Sequence, residues 1–195
     1  MQLRTVLLAV SVALVVVGGT AGCTSQAAPT PTASASASAD PEIAAAAARL
    51  PSCDDVANVL GPVATGLSYD ETSSTSLDEG SSGQRSCAFT SADNTDQLLV
   101  LATVSPLSSD QLGTLRAEKT TIADPRATAI DSVLQTSKAN DGPTSHLDSV
   151  LLLVGPTYTL VLGAQSTGTD AAAAFPSLTV AAAADALFNV RALIG

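Results

Sequence analysis

The sequence predicts a single α+β domain: an antiparallel sheet of about four or five strands with helices packed on one side. Three observations carry that expectation. The runs HLDSVLLLVG and TYTLVLGAQ, aliphatic and β-branched, meet at Gly155-Pro156 and read as two neighbouring strands. The run QLLVLATV follows SCAFTS across the turn residues ADNTD, which makes a hairpin. Ala-rich segments with helix-start signals stand at either end of the same region.

The chain begins with a segment that does not belong to that domain. From Val6 to Val17 it is apolar except for Ser11. A helix over those residues is about 18 Å long, against a hydrocarbon core of about 30 Å. Arg4 in front and the small residues Thr20, Ala21 and Gly22 behind make residues 1–22 a signal peptide. Cys23 directly follows the small residues, the pattern of a bacterial lipobox, in which the thiol receives a diacylglycerol and the chain is cut before it. Thr20 stands where leucine is most frequent in that pattern. The alternative is an ordinary cleaved signal followed by a chance cysteine.

Residues 24–40, TSQAAPTPTASASASAD, hold no large apolar side chain. Such a stretch cannot bury enough surface to offset its ordering entropy, so it reads as a disordered tether with a reach of roughly 20–25 Å. With Cys23 it would hold the domain, residues 41–195, off the extracytoplasmic face of the cell membrane. The acyl chains on Cys23 have to supply the anchoring, because charge does not. Without Arg4, 7 basic side chains face 18 acidic ones. That balance also argues against nucleic acid, whose phosphates need a basic face. An aromatic share of 3%, with no Trp, argues against a carbohydrate platform of stacked rings.

The remaining cysteines, Cys53 and Cys87, form an even pair in an exported chain, and a disulfide between them is the expected state. A two-cysteine metal site is the rival; no histidine lies nearby and the spacing is not that of ligands.

Within the domain, Asp40-Pro41-Glu42 caps and opens a helix through IAAAAARL, stopped by Pro51. Ser52 caps a second helix through CDDVANVL, with Asp54 and Asp55 at its positive end and Gly61 beyond it. GPVATGLSYDE is a weak strand. After the hairpin, Ser108-Ser109-Asp110 starts a helix through QLGTLRAEKT, with Leu112 and Leu115 on one face. ATAIDSVLQT reads equally as strand or helix. The last helix runs through SLTVAAAADALFNVRALI. Val180, Ala184, Leu187, Arg191 and Ile194 share a stripe there, with Phe188 beside it. Arg191 complements the helix dipole and can lay its stem on the apolar face.

The order of lipobox, tether, LPSCDDVANVLG, SCAF, strand pair and Ala-rich terminal helix resembles the small secreted lipoproteins of actinobacteria. The resemblance covers most of the mature chain, and LPSC before a short helix is its most specific part. It implies a single α+β extracytoplasmic module with Cys53 paired to Cys87. It brings no catalytic residue with it.

The residues alone bring none either. Ser145, His146 and Asp148 are the elements of a triad, but near neighbours on a strand alternate faces and cannot form the relay. His146 reads as an ordinary surface or strand-edge histidine. Neither a G-x-S-x-G elbow, a P-loop nor H-E-x-x-H is present. Asp93, Asn94 and Asp96 lack the glycine and distal glutamate of an EF-hand, so they read as turn chemistry. The pairs Asp70-Glu71 and Asp78-Glu79 read as solvated surface. The expectation is therefore a noncatalytic binding or interaction module with no cofactor and no resident metal, meeting a protein, a cell-wall component or a small ligand. A carrier or sensor enclosing an apolar ligand between sheet and helices is the alternative. A cell-envelope hydrolase with a dispersed site is the third reading.

Overall fold

The computed structural model describes residues 40–77, 83–137, 147, 150–167 and 171–195, all within one compact unit, Ala37–Gly195. Seven strands form one antiparallel sheet: β1 Ser68–Leu77, β2 Gln84–Thr90, β3 Asp96–Val104, β4 Thr121–Ile122, β5 Val133–Thr136, β6 Leu151–Val154 and β7 Tyr158–Ser166. Their order is β1-β2-β3-β7-β6-β5-β4. A three-stranded meander and a four-stranded one are thus joined along β3 and β7, paired from Asp96–Ser166 to Val104–Tyr158. The α+β class holds. The strand count is seven rather than four or five.

The strands that a hydropathy reading catches weakly or misses have physical reasons for it. Of the weak candidate GPVATGLSYDE, Gly61–Ala64 forms a 3-10 turn, and β1 starts only at Ser68. β1 is polar except for Tyr69 and Leu77 (SYDETSSTSL) and lies at the sheet edge, held by backbone pairing and by Tyr69 against Phe89 across the pair, ring centroids 6.0 Å apart. β4 is two residues long. The ambiguous ATAIDSVLQT contains both structures: a helix closes at Ala129, and β5 starts at Val133 after a turn with Asp131 at φ 51°.

Strand alternation sorts the sheet into two faces. On the inner face Cys87, Val100, Leu162 and Leu151 stand in register across four strands, with Leu134, Leu153, Leu160 and Ala102 in the next row. Helices α1 Pro41–Ala47, α2 Cys53–Val59 and the long C-terminal helix cover this face. The sequence-read caps are present: Asp40 accepts from Glu42 N at 2.9 Å, and Ser52 Oγ from Asp55 N at 3.1 Å. Helix α3, Ser109–Arg116, carries a full capping box between Ser108 and Gln111. It lies against the opposite face, where Leu112 packs with Val133 and Val154 in a second small core.

Two short helices, α4 Pro125–Ala129 and α5 Ala171–Ala174, precede α6, Val180–Ile194. Thr179 caps α6, accepting from Ala182 N at 3.2 Å. Its buried stripe is Val180, Ala183, Ala184, Ala186, Leu187, Val190 and Ile194. Arg191, expected within the stripe, stands at its rim over Tyr158, 5.6 Å from the ring centroid. The alanines are closed against the sheet, with Ala183 0% exposed, so small side chains bring helix and strands close together. Among the described residues no helix is long and apolar enough to cross a membrane.

Candidate functional site

Cys53 and Cys87 are joined in a disulfide, Cα to Cα 5.4 Å, which ties the first residue of α2 to the middle of β2. Both are buried. Cys23, the signal segment, the tether up to residue 39, Asp78, Glu79, and the Ser145, His146 and Asp148 group lie outside the described residues. Among those described, no group of three or more His, Cys, Asp or Glu side chains is placed to hold a metal ion.

The ADNTD segment is built as a turn. Asp93 accepts from Ser91 Oγ at 2.6 Å and from Thr95 Oγ1 at 2.9 Å, while Asn94 takes φ 57°. Those hydrogen bonds, from Ser91 first and then Thr95, hold the exposed Asp93 carboxyl below its ordinary pKa. Asp96 accepts from Ser166 Oγ across β3 and β7. The Asp93 bonds close the turn, and the Asp96 bond ties β3 to β7.

Two open hollows stand out. The first, about 350 Å3, lies at one end of the outer sheet face and is walled by Asp70, Thr72, Thr90, Asn94 and Thr95, with Gln97 and Gln165 hydrogen-bonded to each other on its floor. One wall comes from an irregularity in β1 between Asp70 and Thr75. Ser74 Oγ closes it, accepting from Ala88 N at 3.0 Å and donating to Asp70 O at 2.7 Å. The lining is hydroxyl and amide. It is contiguous with a shallow dip over Leu99 and Gly163, where Leu99 is 39% exposed.

The second hollow, about 380 Å3, lies between α4 and the C-terminal turns of α6. Phe188, Arg191 and Ala192 reach it from α6, spaced three and four apart and therefore on one face. Ala129 and Ile130 supply the other side, with Ile130 37% exposed. Arg126 lies over the Phe188 ring, 4.3 Å from its centroid. Its Nη1 donates to Asp185 at 2.6 Å, Nη2 to Asp124 Oδ2 at 2.8 Å and Nε to Asp124 Oδ1 at 3.1 Å. Those contacts depress the Asp124 carboxyl, the Arg126 hydrogen bond first, with burial working against it. They push the guanidinium further up, so it is charged at every pH the fold meets.

Phe188 and Arg191 were visible in the sequence as neighbours on the last helix. Arg126 was not, because its partner Asp185 is 59 residues away and only the fold brings them together. No protein-family model, no curated protein and no solved structure matches the chain.

Proposed function

We propose that the chain is a lipid-anchored extracytoplasmic lipoprotein whose domain is a noncatalytic binding module. The observation that carries the binding role is the second hollow. It sets the exposed Ile130 and the Phe188 ring beside two guanidinium groups, in a chain with 8 basic and 18 acidic side chains. Apolar walls with a few fixed polar groups are the ordinary make-up of a ligand or partner site. The anchoring half of the reading rests on the sequence alone: the signal segment, Cys23 and the tether.

A photo-crosslinking residue placed at Ile130 in intact cells tests it, with the same residue at Thr114, exposed on α3, as the control. An adduct formed from position 130 and not from 114 supports a module that binds through this hollow. Identical labelling from both positions counts against it.

The carrier reading needs a ligand enclosed between helices and sheet. Its sequence basis was the small residues of the last helix, and Ala183, Ala184 and Ala186 are used instead for close helix–sheet contact. The open hollow between α4 and α6 therefore favours the binding module.

A further inference from the structure

The two arginines of the second hollow differ in what they have left to offer. Arg126 is engaged by Asp124 and Asp185 and lies flat on Phe188, so it acts as a fixed wall. Arg191 donates from Nη1 to the Gly195 oxygen at 3.0 Å, and its guanidinium carbon lies 5.6 Å from the Tyr158 ring centroid. The ion pairs among the described residues engage Arg116 and Arg126, and none engages Arg191. Arg49 and Arg85 also stand outside these ion pairs, but of the three it is Arg191 that borders the apolar hollow.

From this arrangement we infer that the hollow binds a small amphiphilic carboxylate. Its apolar body lies on Phe188, Ile130, Ala129 and Ala192, and its carboxylate meets Arg191. A guanidinium presents parallel N–H donors that match the two oxygens of a carboxylate, whereas a neutral polar group would leave that charge unused. At about 380 Å3 the hollow is near the lower end of small-ligand sites, so the occupant is a short acyl or aryl acid rather than a whole lipid. This assignment rests on the binding-module reading and names the ligand class of the same site.

The test uses the chain from Thr24 onward, which keeps the whole compact unit Ala37–Gly195. Its Ile and Ala methyl groups are isotope-labelled and followed by NMR during titration with hexanoate, and separately with hexanol. Hexanoate is expected to shift the Ile130, Ala129 and Ala192 methyls saturably. Hexanol should bind about tenfold more weakly. Arg191→Gln should weaken hexanoate about tenfold and leave hexanol unchanged, with Arg191→Lys in between. Equal affinity for hexanoate and hexanol, or no saturable shift at Ile130, overturns the carboxylate. Should Arg191→Gln not fold, the comparison of the two ligands on the unaltered chain decides alone. An Ile130 crosslink on cells without a hexanoate shift would remove the ligand class and leave the module; loss of both would remove the module as well.

Discussion

Ala47, the last residue of α1, occupies the place a side chain on Gly83 would need. A Cβ built on Gly83 overlaps that of Ala47 and stands 3.0 Å from its Cα, with Val104 Cγ2 at 3.5 Å on the other side. The Gly83 carbonyl meanwhile accepts from Val104 N at 2.8 Å, which fixes its backbone to β3. Neither neighbour is the far end of a flexible side chain. Gly83→Ala is therefore expected to lift α1 from the sheet and cost about 1–3 kcal/mol. The melting temperature should fall by roughly 2–4 °C for each of those kcal/mol. Adding Ala47→Gly should recover part of the loss. Strict additivity of the two changes would show that helix and strand do not meet there.

The disulfide closes a loop with a sequence separation of 34, much of it the polar edge strand β1. Its removal by Cys53→Ser with Cys87→Ser is expected to cost about 4 kcal/mol, chiefly by freeing the unfolded chain. A urea titration of the oxidised protein against the double variant measures the difference. Thiol labelling of the unfolded, unreduced chain should leave both cysteines unmodified.

The helix caps and the turn are legible in the sequence because they act locally. Asp40, Ser52 and Ser108 cap helices whose first turns they also specify, and the ADNTD turn sits where its own side chains close it. What depends on distant partners is legible only weakly. β1 has no apolar alternation and exists through its pairing with β2, while α4 and β5 divide a segment whose propensities are mixed. The candidate site shows the same division. The Phe188–Arg191–Ala192 face follows from helix spacing, whereas its opposite wall arrives only when α4 folds against α6.

The proposed lipid anchor depends on Cys23. With Cys23→Ala the proposed acyl acceptor is removed, and the precursor is expected either to stay uncut or to be released from the membrane fraction. Fractionation followed by the mass of the N-terminal peptide distinguishes these from the unaltered chain. Unchanged processing together with unchanged membrane retention would refute lipidation at this residue.

Asp124 gives the domain a predictable acid response. It caps α4, accepting from Arg126 N at 2.8 Å, and it pairs with the Arg126 side chain. Its carboxyl is depressed below the ordinary 3.8 in the folded state, so the folded form holds this proton less readily than the unfolded one. The stabilisation is fully present above that ordinary value and drains away as pH falls through the lower, folded one. Asn caps a helix about as well as Asp, so Asp124→Asn removes mainly the charge. At neutral pH it is expected to cost at most about 1 kcal/mol, since Arg126 remains half exposed. Asp124→Ala loses the cap as well, for roughly a further 1 kcal/mol. Urea midpoints of wild type and Asp124→Asn should therefore converge as pH falls below about 3.8, while the gap to Asp124→Ala narrows without closing. A separation between wild type and Asp124→Asn that stays constant through acid would mean that the Arg126 pairing contributes nothing to the folded state.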